Sequence, residues 1–264
     1  MSVPTLGVLG ATGRMGRAVV RLAYEGGHRL VCALSLASSP DVGRDAGELA
    51  GIGPLGVLVG VDLASIAKTK PDVLIDFSSP AAVCDAAGIA ASAGVAIVSG
   101  TTGLDAAATR ALDLAAERVP VLWEPNMSVG VHVLAELVGE AVRRLGPSFD
   151  IEIVETHHGL KADAPSGTAL RLAEAARNAR RGSELVYGRH GRPGARPPSE
   201  IGVHAVRGGD VIGDHEVHLL GKGERVELTH KATSRDVFAH GALRAACYVA
   251  TRQAGRYALQ DVLR

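Results

Sequence analysis

The sequence predicts an α/β protein: a Rossmann-type doubly wound parallel sheet joined to a second α+β domain built on a mixed, mainly antiparallel sheet. Three observations carry this expectation. Short apolar runs alternate with Ala-rich stretches of helical spacing through the first half of the chain. The first run ends in a turn with a glycine at every third position, and that turn opens a helix. After Pro125 the alternation stops, and β-rich runs follow one another with few helices between them.

Residues 5–9 are the first apolar run, closed by Gly10, and 14–24 carry apolar residues at helical spacing. Further strands are expected at 30–34, 72–76, 95–99 and 119–123, with helices at 80–93 and 104–117. In the second half a long helix over 129–145 precedes strands near 151–156, 201–207, 214–220 and 224–231. Residues 180–200 are rich in Arg, Gly, Pro and Ser and lack apolar periodicity, which predicts mostly mobile loop. The Ala-rich stretch 236–253 reads as a closing helix.

Length and composition agree with this organisation. At 264 residues the chain suits two modest domains, since single cores stop growing near roughly 250 to 300 residues. Hydrophobic residues make up 47% but aromatic ones only 3%, so Ala, Val, Leu and Ile must build the core, as in buried parallel strands. Lys plus Arg and Asp plus Glu both number 28, which argues against nucleic acid or an acidic membrane as partner and for a small molecule. Cys32, Cys84 and Cys247 are far apart, with neither CxxC spacing nor a pairing pattern, and read as small core residues. Apart from His157 and His158, the histidines (His28, His132, His190, His204, His215, His218, His230 and His240) are scattered without a metal-binding motif, so no metal is expected. No run approaches the ~20 apolar residues that span a bilayer, and no leader pattern precedes the first strand, which predicts a cytoplasmic protein.

In Gly10-Ala11-Thr12-Gly13-Arg14-Met15-Gly16 the glycines let the backbone approach a pyrophosphate, whose charge a helix N-terminus stabilises. The cofactor implied is NADPH or NADH. About 20 residues after such a turn an NAD enzyme presents Asp or Glu to the ribose, and an NADP enzyme replaces the acid and adds Arg. Here the second strand ends Ala33-Leu34-Ser35-Leu36, with neither acid nor base, so use of both coenzymes is expected. Arg14 is available to a 2′-phosphate.

The densest polar cluster is Glu155-Thr156-His157-His158-Gly159-Leu160-Lys161-Ala162-Asp163-Ala164-Pro165-Ser166-Gly167-Thr168, which leaves a strand and enters a helix. Successive strand residues face opposite ways, so one of His157 and His158 meets a pocket while the other orients it, and Lys161 adds a cation or proton donor. Ser166, Gly167 and Thr168 at the helix start make a carboxylate cradle of N–H groups and hydroxyls. Helix capping alone explains Ser166 and Thr168 but not the cations just upstream.

This cluster resembles the signature of the dihydrodipicolinate reductase family, and the resemblance runs along almost the whole chain. It takes in the glycine turn, Asp76-Phe77-Ser78, Gly100-Thr101-Thr102-Gly103, Glu124-Pro125-Asn126-Met127-Ser128-Val129-Gly130, Arg207-Gly208-Gly209-Asp210 and Thr229-His230-Lys231-Ala232-Thr233-Ser234-Arg235. It implies NAD(P)H-dependent reduction of 4-hydroxy-tetrahydrodipicolinate, a small dicarboxylate, in lysine and diaminopimelate biosynthesis. It implies that His157 and Lys161 carry the acid-base step and that His158, Lys161, Ser166, Gly167 and Thr168 grip the substrate. The coenzyme would then be held by Gly10, Ala11, Thr12, Gly13, Arg14 and Met15 at the pyrophosphate. Ser35 would lie at the adenosine end, with Gly100, Thr101, Thr102, Glu124, Pro125, Asn126 and Met127 beside the nicotinamide. Ser35, Leu36 and Ser79 stand where some members carry charged residues, which bears on coenzyme choice and not on the reaction. The division expected is 1–126 with 236–264 for the dinucleotide and 127–235 for substrate binding and oligomerisation, and the resemblance implies a homotetramer. Closure about hinges near 124–128 and 234–238 is expected because the coenzyme and substrate loops lie in different domains and must meet to exclude water.

Two other functions are compatible with parts of the pattern. An amino-acid dehydrogenase of the aspartate type shares the glycine turn and two-domain plan but does not account for the 157–168 run. A non-catalytic coenzyme-sensing protein would keep the turn and have no use for an intact acid-base loop.

Overall fold

Runs of apolar residues only four or five long alternate with helices through the first half of the chain, as buried parallel strands require. A computed structural model describes residues 3–264. It gives β1 (Leu6–Leu9), α1 (Arg14–Glu25), β2 (Leu30–Leu34), α2 (Ala46–Ala50), β3 (Val59–Gly60), α3 (Ala64–Thr69), β4 (Val73–Asp76), α4 (Pro80–Ala93), β5 (Ala96–Ser99), α5 (Ala106–Ala116) and β6 (Pro120–Trp123). There follow α6 (Val129–Leu145), β7 (Asp150–His157), α7 (Gly167–Ala179), β8 (Glu184–Tyr187), β9 (Glu200–Arg207), β10 (Gly213–Leu220) and β11 (Arg225–Ala232). The chain then adds α8 (Asp236–Val249), β12 (Gly255–Tyr257) and α9 (Leu259–Val262). One unit comprises the residues up to Val129 together with Asp236–Arg264, and the other is Gly130–Arg235.

In the first unit seven strands pair in the order β12-β6-β5-β4-β1-β2-β3, all parallel. This is the doubly wound sheet expected, with its order reversing between β1 and β4, where such sheets open a crevice at the carboxyl ends of their strands. Both faces are apolar. Val8, Ile75 and Val98 meet Val19 and Val20 of α1 and Ala242 and Ala246 of α8, while Leu9, Leu74, Ile97 and Val121 meet Ala87 and Ala90 of α4 and Leu112 of α5. Local signals set the helix ends. Ser79 caps α4 by accepting from the Ala82 N–H, Pro80 takes its first turn, and Gly94 ends it at φ 73°.

The second unit is a five-stranded mixed sheet in the order β11-β10-β7-β9-β8. Its adjacencies divide evenly: β11–β10 and β10–β7 are antiparallel, β7–β9 and β9–β8 parallel. Parallel neighbours need crossovers, supplied by α7 between β7 and β8 and by the connection 188–199 between β8 and β9. Leu134, Val138 and Val142 of α6 and Leu172, Ala173 and Ala176 of α7 bury one face against Ile151, Ile153, Val203 and Val217. Residues 180–200, expected to be mostly loop, are irregular except for the four residues of β8 and Glu200, where β9 begins. Composition hid β8: four residues of strand sit among Gly, Pro and Arg. The arginines also anchor this segment. Arg189 and Arg196 both reach the Glu152 carboxylate, at 2.7 and 2.8 Å.

Candidate active site

Along β7 the side chains alternate, and Ile151, Ile153, Glu155 and His157 share the buried face. The run is apolar until its last two members, so a carboxylate and an imidazole end up where the core closes. Glu155 is fully buried, and its carboxylate accepts four hydrogen bonds. His157 Nδ1 lies 2.6 Å from Oε2, the Ser166 N–H donates to Oε1 at 3.0 Å, and Arg207 donates from Nη1 to Oε2 at 2.8 Å and from Nη2 to Oε1 at 2.7 Å. Burial pushes this carboxyl up, but Arg207, His157 and the Ser166 N–H outweigh it and hold the pKa below its ordinary value. Glu155 is therefore ionised and can only accept, so the proton on this side of the His157 ring sits on Nδ1.

The rest of the polar run follows within a few residues. His158 is half-buried and its N–H donates to Val211 O at 2.7 Å. Lys161 Nζ pairs with Asp163 Oδ1 at 2.8 Å and holds that carboxyl below its usual range. Ser166 caps α7, its Oγ accepting the Ala169 N–H at 3.1 Å, so that Gly167 and Thr168 form the helix's first turn. An anion held there meets N–H groups and the positive end of the helix dipole.

Two side chains join this group without having been assigned to it from sequence. Arg207 lies opposite His157 in the β7–β9 register and also donates to Asp163 O at 2.6 Å. His215 lies opposite Glu155 in the β7–β10 register, its ring edge-on to His157 with centroids 5.2 Å apart and its Nε2 3.1 Å from Ser166 Oγ. Burial lowers the His215 pKa to about 4, and the neighbouring His157 adds to the effect. Spacing along the chain gives no hint of either residue; the signal is strand register.

The residues assigned to the coenzyme lie in the first unit. Gly10 has φ +85°, and a Cβ there would stand 2.4 Å from Phe77 O; one on Gly16 would stand 2.1 Å from Gly10 O. The turn thus folds onto itself in a way only glycine allows. The Gly10 and Ala11 N–H groups both donate to Leu34 O at 2.9 Å, which locks the turn to β2 and leaves the start of α1 to meet a ligand. Helices α4 and α5 begin on Ser79 and Asp105, whose side chains cap them, whereas α1 begins on Gly13 with no side-chain cap and no acid in its first turn. That fits a phosphate. Arg14 is exposed and Met15 half-buried beside it. Thr12 Oγ1 lies 2.6 Å from Ser35 Oγ, and Ser39, missed in the sequence, donates to the same Thr12 oxygen at 3.2 Å. At the ends of β4 and β5, buried Asp76 accepts from Ser99 Oγ at 2.6 Å and Thr101 Oγ1 at 2.7 Å, and also from the Ser78 hydroxyl. Gly100 is packed under Phe77, Thr102 is exposed, and Trp123 Nε1 donates to Thr101 O at 2.9 Å. Glu124 is buried, Pro125 exposed, Asn126 Oδ1 accepts the Ser128 N–H at 2.9 Å, and Met127 is buried in the core. Among the described residues no group of His, Cys, Asp and Glu has the makings of a metal site.

Comparison with known proteins follows the same division. Residues 5–127 match the family model for the dihydrodipicolinate reductase N-terminus, and 130–263 match that for its C-terminus. The 4-hydroxy-tetrahydrodipicolinate reductase of Myxococcus xanthus is 48% identical over 97% of this chain and 96% of its own. That of an Anaeromyxobacter species is 51% identical with the same coverage, and that of Acinetobacter baumannii 46% identical over 99% and 97%. Among solved structures, dipicolinate-bound dihydrodipicolinate reductase from Paenisporosarcina shares the fold with a TM-score of 0.77 at 24% identity, covering 97% of this chain and 98% of that one. An amine dehydrogenase from Mycobacterium smegmatis shares it at 0.65 and 14%, covering 97% and 95%. By sequence along nearly its whole length, this chain belongs to the dihydrodipicolinate reductase family.

Proposed function

We propose that this protein reduces 4-hydroxy-tetrahydrodipicolinate to tetrahydrodipicolinate with NADPH or NADH, as a step of lysine and diaminopimelate biosynthesis. The observation that carries this is the meeting of His157 and the Ser166 start of α7 on one carboxylate, Glu155, with Lys161 on the loop between them, in a chain whose relatives are reductases of that substrate. Loss of the 4-hydroxyl as water leaves a ring imine conjugated to a carbon–carbon double bond. A bound reduced nicotinamide coenzyme supplies hydride to the far carbon of that system, and the resulting enamine takes up one proton. His157 or Lys161, directly or through water, delivers that proton, a contribution worth roughly 10²- to 10⁴-fold in rate. His158, Lys161, Ser166, Gly167 and Thr168 hold the substrate carboxylates, using the helix start for charge and the hydroxyls for direction. Dipicolinate, the ligand of the Paenisporosarcina enzyme, is a dicarboxylate of the same kind.

In this reading the first unit holds the coenzyme, through residues 10–15 at the pyrophosphate, Ser35 at the adenosine end, and 100–102 with 124–127 at the nicotinamide. The second unit holds substrate and assembles a homotetramer through its sheet, whose edge strand β11 has solvent-exposed residues at alternate positions. No helix among the described residues is long and apolar enough to cross a membrane. Light scattering at four times the 27.1 kDa chain mass checks the assembly.

The test of the activity is oxidation of NADPH and NADH, followed at the nicotinamide absorbance, with substrate made in situ from pyruvate and aspartate semialdehyde by the preceding synthase. Rapid, substrate-dependent oxidation is expected with both coenzymes. None from folded protein would leave the coenzyme-sensing alternative in its place.

A further inference from the structure

Glu155 is the least accessible charged group beside the reacting residues, and nothing in the chemistry above uses it. A buried carboxylate is expensive: it stays ionised only where partners replace its lost hydration, and an apolar residue of similar size would satisfy the packing of Ile151 and Ile153 on the same face. Here the partners are unusually specific. Arg207 fills both oxygens in a bidentate pair, the Ser166 N–H takes a further position on Oε1, and His157 Nδ1 takes one on Oε2. One carboxylate thereby touches the end of β7, the start of α7 and, through Arg207 to Asp163 O, the loop that carries Lys161.

We propose that Glu155 is the positioning residue of the reaction: held in place by Arg207, it keeps His157 protonated at Nδ1 and so confines proton exchange to Nε2, in register with the carboxylate cradle at Ser166. This rests on His157 belonging to the proton-transfer machinery, as proposed above. The other nitrogen is kept clear by sequence as well as by geometry. Gly213 lies beside it, and a Cβ at that position would stand 3.0 Å from Nε2 and 3.5 Å from His215 Cε1. Glu155 on the same strand bonds the His157 ring, His215 on β10 stands edge-on to it, and Arg207 on β9 is its register partner, while Lys161 and Asp163 pair with each other on the following loop. Among these Glu155 alone is an acceptor bonded to Nδ1, so it alone fixes the tautomer. A Gln at this position presents an amide that can donate as well as accept, and the ring loses its reason to keep the proton on Nδ1.

The test has one arm that needs no reaction and one that does. Two-bond ¹H–¹⁵N spectra of the wild-type protein are expected to show neutral His157 protonated at Nδ1, with Nε2 of the unprotonated type. In Glu155→Gln the ring is expected to populate both tautomers, kcat to fall by about 10²-fold or more with substrate KM changed far less, and the pH–rate profile to move. Arg207→Lys keeps a charge but loses the fork, and is expected to lower kcat by about tenfold with the tautomer retained. If Glu155→Gln does not fold by circular dichroism, the wild-type spectrum and Arg207→Lys decide between them. A wild-type ring protonated at Nε2, or a folded Glu155→Gln with unaltered kcat and pH profile, overturns the proposal. Absence of any turnover in the wild type would instead overturn the function proposed above and leave the tautomer measurement standing.

Discussion

His215 and Ser166 meet across the second unit, Nε2 to Oγ at 3.1 Å, although 49 residues separate them. The same Ser166 oxygen already accepts the Ala169 N–H that starts α7. His215 Nδ1 is buried without a partner. An unpaired buried donor is rarer and costlier than an unpaired acceptor, so the proton belongs on Nε2, where it donates to Ser166. Both acceptor positions of Oγ are then filled, which leaves the Ser166 O–H as a donor, the role the proposed function gives it toward a substrate carboxylate.

Replacing His215 by Phe keeps the buried ring and removes that constraint. We expect His215→Phe to raise the substrate KM by about tenfold and to change kcat by less, since one neutral hydrogen bond is worth roughly 0.5 to 1.5 kcal/mol. Steady-state kinetics at saturating coenzyme checks this. A KM at the wild-type value would remove His215 from the site.

His215 also sets a stability window in pH. Its pKa in the folded protein is about 4 against an ordinary 6.5, so the unfolded chain takes up the proton first as pH falls. The stability it confers is fully present above about 6.5 and is lost on acidification towards about 4, amounting to about 3 kcal/mol at most. Glu152 acts lower: burial pushes its carboxyl up, but Arg189, His204 and Arg196 hold it at about 2, so its contribution fades below the ordinary 4.5. Thermal unfolding between pH 7 and 4.5 is therefore expected to soften in the wild type and to depend less on pH in His215→Phe. Some slope should remain from His230, which burial lowers in the same direction. Identical slopes in the two proteins would contradict the assignment.

The glycine turn separates fold from function at two neighbouring positions. A Cβ on Gly16 lies 2.1 Å from Gly10 O and 2.7 Å from Ala11 Cα, both backbone, so Gly16→Ala must shift the turn and is expected to destabilise by about 1 to 3 kcal/mol. On Gly13 the nearest atom is Gly10 O at 3.3 Å, and φ is −71°, which alanine adopts freely. Gly13→Ala should unfold within a few degrees of the wild type yet bind coenzyme about tenfold more weakly, because the methyl stands at the uncapped start of α1. Calorimetry and coenzyme titration distinguish the two.

Thr12, Ser35 and Ser39 form a hydroxyl cluster that presents no charge of its own, and the proposed function puts it at the adenosine end of the coenzyme. In Ser35→Asp a carboxylate at the end of β2 repels a 2′-phosphate and accepts from ribose hydroxyls. The KM for NADPH should rise by about tenfold or more while that for NADH changes little, since 1.4 kcal/mol of repulsion already corresponds to that factor. An unchanged ratio would place the adenosine end elsewhere.

What could be read from the chain beforehand was whatever is written locally. The apolar runs at 30–34 and 96–99 are strands because both faces are buried, and the glycine turn is visible because close backbone approach demands glycine. Helix α7 announces itself by Ser166 as cap. What could not be read depends on pairing. His215 looked like one of several scattered histidines, and only the alignment of β10 with β7 brings it opposite Glu155. Arg207 is in the same position with respect to β9. Glu155 stands in the polar run, but the three residues that bond it come from three segments, and its burial follows from the sheet rather than from its neighbours in sequence. Strand β8 was lost because a short edge strand needs little apolar signal of its own.

Helix α8 brings residues of the C-terminal segment back into the first unit, where Ala239, Ala242, Leu243, Ala245, Ala246 and Val249 complete one face of the parallel sheet's core. On the ribosome this reverses the usual order of events. The nucleotide-binding half is translated first but lacks that face until residues 236–249 emerge, whereas Gly130–Arg235 is contiguous and has its whole core available earlier. The nascent chain must therefore carry an unfinished Rossmann sheet, with apolar strands such as Leu6–Leu9 and Ala96–Ser99, throughout synthesis of Gly130–Arg235. Translation pausing and chaperone capture should concentrate in that interval.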